Sequence, residues 1–230
     1  MSSYVIVGGS TGIGLSIANR LAGQGNTVSI LSRTASNDWV SGIDHIPFDV
    51  LLDNVPEVPD EINGLVYCPG SINLKPFQSL SEQNFLDDFR INVTGAVRCT
   101  QAFLKSLKKT PGSSVLFFST VAVAQGMPFH TSVSASKGAI EGLTRSLAAE
   151  LAPKVRVNCI APSITDTPLA SKLLSTDEKK QKSGERHPMK RVGTAEDIAA
   201  MAVFLLSAEA TWITGQIIGV DGGMSGLKPL

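Results

Sequence analysis

Near the start of the chain, Ser10, Thr11, Gly12, Ile13 and Gly14, with Gly8 just ahead of them, have the residue types and spacing to hold an anion. Glycine at these positions does three separate jobs: Gly8 allows a tight turn, Gly12 lets backbone approach a ligand closely, and Gly14 lets a following helix pack against a preceding strand. Ser10 and Thr11 add hydroxyl donors. The elements that must position them are legible on either side. Tyr4 to Val7 is a short, β-branched apolar run, and Ile13, Ile17, Ala18 and Leu21 recur at helical spacing. A strand turning into a helix presents free N–H groups and a positive dipole end, which suits a pyrophosphate. A bare glycine turn would carry no such implication; the flanking strand and helix make this a dinucleotide site.

A length of 230 residues suits one large α/β domain or two small ones, and 43% hydrophobic content with 6% aromatics suits a sheet flanked by helices. Lysine plus arginine equals aspartate plus glutamate, 20 each, so no basic face for nucleic acid is implied. The apolar runs are too short to span a bilayer, and the start of the chain lacks a signal-peptide pattern, so no membrane partner is expected. Cys68, Cys99 and Cys159 are scattered, with no C-x-x-C. They read as reduced, buried thiols of a cytoplasmic protein and not as a disulfide frame or a metal site.

Along the chain, strands are expected at Thr27–Ser32, His45–Val50, Gly64–Cys68, Ser114–Phe118, Val155–Ile160 and Gln216–Val220. Only a short connection separates the second strand from the third. Ser81, Glu82 and Asn84 open a long helix to about Lys109, Ser132 to Leu151 is a second, and Thr194 with Asp197 caps another that runs to Ser207. Ser171 to Arg191 is polar and reads as a mobile helical flap, and Asp53 to Glu61 as loop or frayed helix. Strands alternate with helices throughout, which predicts one domain over residues 1–230: a doubly wound parallel sheet of the Rossmann type in three α/β/α layers.

The spacing Gly8-x-x-x-Gly12-x-Gly14 resembles the short-chain dehydrogenase/reductase family, and further stretches extend the likeness over nearly the whole chain. Asp49-Val50 resembles the aspartate after the third strand that holds the adenine. Cys68-Pro69-Gly70 falls where the family has Asn-Asn-Ala-Gly. Asn92 in RINVTG resembles the family's helix asparagine. SASKGAIEGLTRSLAAEL, Ser134 to Leu151, is similar to its most typical helix. VRVNCIAPSITDT, Val155 to Thr167, resembles the strand and loop over the nicotinamide, so that Pro162, Ile164 and Thr165 join the expected cofactor site. VDGG, Val220 to Gly223, is similar to its last strand. At the tip of the second strand a carboxylate would accept hydrogen bonds from the adenosine ribose; here Ser32 and Arg33 stand there, which points to NADP(H).

The resemblance also implies four catalytic positions. Lys137 in SASK matches the lysine that binds the nicotinamide ribose and lowers the pKa of a tyrosine four residues before it. Asn92 matches the residue that holds a water in a proton relay. Thr120 falls where the family has a serine, and keeps the hydroxyl. The tyrosine's own position is Val133, which has no proton to give. His130, seven residues before Lys137, is the first candidate for a substitute acid, because a related branch, the enoyl-acyl carrier protein reductases, carries its tyrosine at that spacing. Tyr67, ahead of Cys68, is the second. Both also have plainer readings, as a capping loop histidine and a core aromatic. His187, in SGERHPMKR, reads as part of a solvated charge cluster. The expected function is therefore an NADP(H)-dependent oxidoreductase acting on a small carbonyl or alcohol, with altered or impaired proton transfer. The alternative is a non-catalytic NADP(H)-binding regulator or inactive subunit. The resemblance further implies a homo-oligomer, dimer or tetramer, with no metal.

Overall fold

The computed structural model describes residues 1–57 and 59–227. The glycine-rich segment is framed as its sequence requires: β1 (Ser3–Val7) enters it and α1 (Gly12–Gly23) leaves it. There follow β2 (Thr27–Ser32), β3 (Ile43–Pro47) and β4 (Gly64–Tyr67). Next come α2 (Glu82–Phe89), a π-helical stretch at Arg90–Thr94 and α3 (Gly95–Lys109). β5 (Ser113–Phe118), the short α4 (Val121–Gln125), α5 (Thr131–Leu151) and β6 (Val155–Pro162) continue the alternation. β7 (Thr165–Asp166), α6 (Asp177–Glu185), β8 (Gly193–Thr194), α7 (Ala195–Leu206) and β9 (Ile217–Val220) complete it.

Seven strands form one parallel sheet in the order β3-β2-β1-β4-β5-β6-β9. The order reverses between β1 and β4, and the crevice at the carboxyl ends of those strands is where this architecture places a ligand. Both faces of the sheet are covered, so central strands such as β5 are buried at every residue instead of alternating. On one face Val5 and Val7 pack with Ala96 and Phe103 of α3 and Ile140 of α5. On the other, Tyr4 and Ile6 pack with Ile17 and Leu21 of α1 and Ile198 and Leu205 of α7. Each such large apolar side chain contributes roughly 1.5–3 kcal/mol by leaving water.

Two expectations are corrected. The third strand covers Ile43–Pro47 and not His45–Val50. Its partner β2 ends at Ser32, which pairs with Pro47, so after Phe48 N–H donates to Ser32 O (3.1 Å) the chain turns off the sheet and Asp49 and Val50 lie in the loop beyond the strand end. The long helix from Ser81 is not uniform: it widens into the π stretch that contains Asn92. The Ser81–Asn84 capping box does start it, with Asn84 N–H donating to Ser81 Oγ (3.4 Å) and Ser81 N–H to Asn84 Oδ1 (3.2 Å). The flap holds a helix, α6, and is anchored to the domain by the Lys180–Asp166 ion pair and by a buried His187.

Candidate active site

Two cavities open at the carboxyl edge of the sheet. The first, about 290 Å³, is walled by the glycine-rich turn, the tips of β1 and β2, and the loops after β3 and β4. Gly8, Ser10, Thr11, Gly12, Ile13, Gly14, Ser32, Arg33, Asp49, Val50, Pro69 and Gly70 all line it, so the expected dinucleotide residues from four separate stretches of sequence meet in one groove. The turn is built for glycine. Gly8 and Gly12 have φ of +80° and +57°, and a Cβ on Gly14 would sit 2.3 Å from Gly8 O. Thr11 is the N-cap of α1 but its side chain makes no capping hydrogen bond, and the first turn carries no acid. The helix N-terminus is therefore open to an anion, which is the fit a pyrophosphate requires.

At the far end of the groove, Ser32 is buried and its hydroxyl already donates to Thr34 O (2.9 Å). Arg33 beside it is exposed and lines the same groove. Behind them, Trp39 stacks at a tilt on His45 with ring centroids 5.2 Å apart, and its indole N–H donates to Gly9 O (3.0 Å). This aromatic brace holds the glycine turn against the β2–β3 connection, and nothing in the residue spacing announced it. Asp49 Oδ1 accepts from Leu51 N–H (2.9 Å), which folds the loop under the groove.

The second cavity is larger, about 560 Å³, and shares Ile13, Cys68, Gly70, Thr167 and Leu169 with the first. Thr120, His130, Val133, Lys137, Pro162, Ile164 and Thr165 line it. The last three line the chamber that opens from the dinucleotide groove. Its walls are mainly apolar, with Leu74, Phe129, Leu173 and Met224 among them. Lys137, Arg186 and two histidines line it, and no acid does.

Lys137 is the buried cation of this wall. It is 9% exposed, and Nζ donates to Phe118 O (2.9 Å) at the end of β5. Burial lowers its pKa to about 8, against partial opposition from Cys159, Cys68 and Asp88. Asn92 stands close by behind Gly70: a Cβ there would meet Asn92 Oδ1 at 3.2 Å and Lys137 Nζ at 3.4 Å. Asn92 Nδ2 donates to Asp88 O (2.8 Å), Ser71 Oγ (3.1 Å) and Ser136 Oγ (3.2 Å). Its Oδ1 is buried without a partner among the described residues, beside an ammonium-bearing side chain. Asp88 accepts from Ser71 Oγ (2.6 Å) and Ser132 Oγ (2.5 Å), so the π stretch is stitched to α5 through a buried polar cluster that sequence reading missed. The i, i+4 relation of Asp88 to Asn92, on a face otherwise apolar, was its only trace.

Thr120 caps α4, accepting from Ala122 N–H (3.3 Å), and its hydroxyl hydrogen is left for the cavity. Ser119 beside it is turned away to Glu141 (2.7 Å). His130 stands at the N-cap of α5 with Nδ1 2.7 Å from Pro128 O. Its ring lines the cavity but makes no hydrogen bond to Thr120. Val133 is buried at 6% and lines the same wall. The chain's two tyrosines, Tyr4 and Tyr67, are both in the core and line neither cavity. Tyr67 donates to Ile91 O (2.5 Å), and burial pushes its pKa far up, which removes it as a proton donor. The three thiols are free and burial pushes each up to about 12, in keeping with inert packing. His187 departs most from its sequence reading: it is 2% exposed and forms part of the cavity wall.

The family model described as Enoyl-(Acyl carrier protein) reductase matches residues 47–225. The chain belongs to the short-chain dehydrogenase/reductase family. It is 32% identical over 230 residues to the 3-oxoacyl-acyl-carrier-protein reductase MabA of Mycobacterium avium, covering 96% of this chain and 89% of that one. It is 30% identical over 239 residues to the 3-oxoacyl-acyl-carrier-protein reductase FabG of Aquifex aeolicus, covering 96% of each. Among solved structures, the ligand-free aldohexose dehydrogenase of Thermoplasma acidophilum superposes with a TM-score of 0.89 at 28% identity, over 100% of this chain and 96% of that one. The family is one of oxidoreductases that use a nicotinamide dinucleotide, and the Rossmann-type sheet described above is its fold. Among the described residues no helix is long and apolar enough to cross a membrane, and no group of three or more His, Cys, Asp or Glu is placed to hold a metal.

Proposed function

We propose that the protein is an NADP(H)-dependent oxidoreductase that interconverts a small carbonyl and its alcohol, with the proton handled by a group other than tyrosine. The observation that carries this reading is the junction of the two cavities: the dinucleotide groove runs into an apolar chamber, and Lys137 stands at the seam behind Gly70. When bound, the dinucleotide supplies or takes up the hydride. The chain's residues do the rest. Gly12, Gly14 and the open end of α1 hold the pyrophosphate, and Arg33 meets a 2′-phosphate with a planar charged fork. Thr120 donates to the carbonyl oxygen. Lys137, with a pKa of about 8, brings positive charge to the site at neutral pH and favours negative charge developing on that oxygen. The unpartnered Asn92 Oδ1 is placed to fix a water near Lys137. The apolar walls exclude bulk water and fit a substrate with a hydrocarbon body.

The lack of any tyrosine in either cavity favours one other reading, a protein that binds NADP(H) and turns nothing over. Fluorescence titration with NADPH and NADH, followed by NADPH oxidation against a broad panel of ketones and 3-oxoacyl thioesters, separates the two. The native protein should prefer NADPH, and Arg33→Ala should weaken NADPH by roughly tenfold or more while leaving NADH unchanged. Equal affinities in the native protein refute the NADP(H) assignment, and tight binding with no turnover on the whole panel leaves the binder.

A further inference from the structure

His187 sits in the cavity wall with both ring nitrogens engaged. Nδ1 lies 2.8 Å from Ser183 O, and Nε2 lies 2.8 Å from Ser163 Oγ. A carbonyl oxygen can only accept, so Nδ1 carries a hydrogen and donates it. In the neutral ring, Nε2 is then left to accept, and Ser163 donates to it. Ser163 Oγ also lies 3.1 Å from Met224 Sδ, a thioether that competes only weakly with the imidazole nitrogen for the same single hydroxyl hydrogen, and the serine, the histidine and the methionine all line the apolar chamber. The arrangement is that of a hydroxyl backed by a base, the base being oriented in turn by a third group.

Its place in the fold puts it at the reaction end of the chamber. Ser163 follows β6 and Thr120 follows β5, and these two strands are hydrogen-bonded neighbours with Phe118 opposite Ile160. The two hydroxyls therefore leave adjacent strand tips on the same edge of the sheet, where strands run about 4.8 Å apart. His187 follows α6, whose buried Gly184 lets the Arg191 backbone pack closely against the helix: a Cβ there would sit 3.0 Å from Arg191 Cα.

We infer that Ser163 and His187 form the proton relay of this site, standing in for the absent tyrosine. The inference rests on the oxidoreductase reading above. In alcohol oxidation the substrate O–H bond breaks and its proton passes to Ser163 Oγ, while the proton of Ser163 passes to His187 Nε2, giving the imidazolium; the carbinol carbon gives up its hydride to an oxidised nicotinamide. In carbonyl reduction the order reverses: Nε2–H protonates Ser163 Oγ as Ser163 protonates the carbonyl oxygen, and the reduced nicotinamide supplies the hydride. Thr120 and Lys137 stabilise charge on the oxygen during the exchange. His130, tethered to Pro128 O and bonded to neither Thr120 nor Ser163, has no such chain of hydrogen bonds to the chamber.

Two measurements test this. In the first, single-turnover NADPH oxidation is followed with a carbonyl that the native protein reduces, in His187→Gln and Ser163→Ala. The relay predicts that both lower the rate by roughly a hundredfold, with KM and NADPH affinity within about twofold of native. A native rate in either variant overturns it. In the second, the ring nitrogens of His187 are read by 15N NMR in the cofactor-free protein. The relay requires the Nδ1–H tautomer, perturbed in Ser163→Ala; an Nε2–H tautomer overturns it without recourse to activity or to a variant that folds. Should the native protein bind NADPH and reduce no carbonyl, the oxidoreductase reading itself falls and the relay with it. That result is distinct from a turning-over enzyme indifferent to the two substitutions.

Discussion

The burial of Lys137 makes a stability prediction independent of any substrate. The residue is 9% exposed and its folded pKa is about 8, against 10.5 for the free side chain. For a base with a depressed folded pKa, the unfolded chain binds more protons between those two values, so stability must rise with pH through that window and be penalised below it. The full penalty is 2.5 pKa units, or about 3 kcal/mol at 1.36 kcal/mol per unit. Between pH 7 and pH 9.5 about 2 kcal/mol of it should be recovered. Other groups titrate in the same range: burial raises the three thiols and Tyr67, so they contribute a fall in stability as pH rises. The comparison is therefore made against Lys137→Met, which keeps most of the stem and removes the charge. Urea unfolding followed by tryptophan fluorescence at pH 7, 8, 9 and 9.5 gives both curves. The native protein should gain about 2 kcal/mol on the variant across the range, while the variant loses any carbonyl reductase activity at every pH. Parallel curves would show that Lys137 is not buried as described, and would remove the basis for its part in the site.

Further outcomes follow from single contacts. Val133→Tyr restores an acid one helical turn before Lys137, with Thr120 still available, and should raise ketone reduction roughly a hundredfold; a folded, NADPH-binding variant with no gain on any ketone would show that the chamber is not shaped for that acid. His130→Ala separates the two histidines: it should leave the single-turnover rate within about threefold of native if the proton comes through Ser163, and lower it roughly a hundredfold if His130 is the acid. Gly14→Ala places a Cβ 2.3 Å from Gly8 O, so the turn must shift; NADPH affinity should fall at least about tenfold and thermal unfolding should come earlier, by roughly 1–3 kcal/mol of stability. Native affinity in that variant would show that the pyrophosphate does not depend on the close approach of these two turns.

The sequence by itself determined the wound sheet, because parallel strands buried on both faces must be apolar runs and the helices between them must carry an apolar stripe; β5 and α5 satisfy this locally, within a few residues of their expected ends. It determined the dinucleotide turn as well, since only glycine tolerates the φ of Gly8 and the backbone contact at Gly14. Lys137 and the valine four residues before it were visible in one stretch of helix. What only the tertiary structure decided concerns contacts between residues far apart in the chain. The Asn92–Asp88–Ser136 cluster depends on a π turn, which has no composition of its own and arises where a helix must widen to bring one side chain inward. The tip of β3 was misplaced because an edge strand ends where its neighbour ends, and that partner is fixed in space and not by local residues. His187 read as solvated because its neighbours in sequence are charged. It is buried, and Ser163, 24 residues earlier, supplies the partner that makes a polar ring tolerable inside an apolar wall.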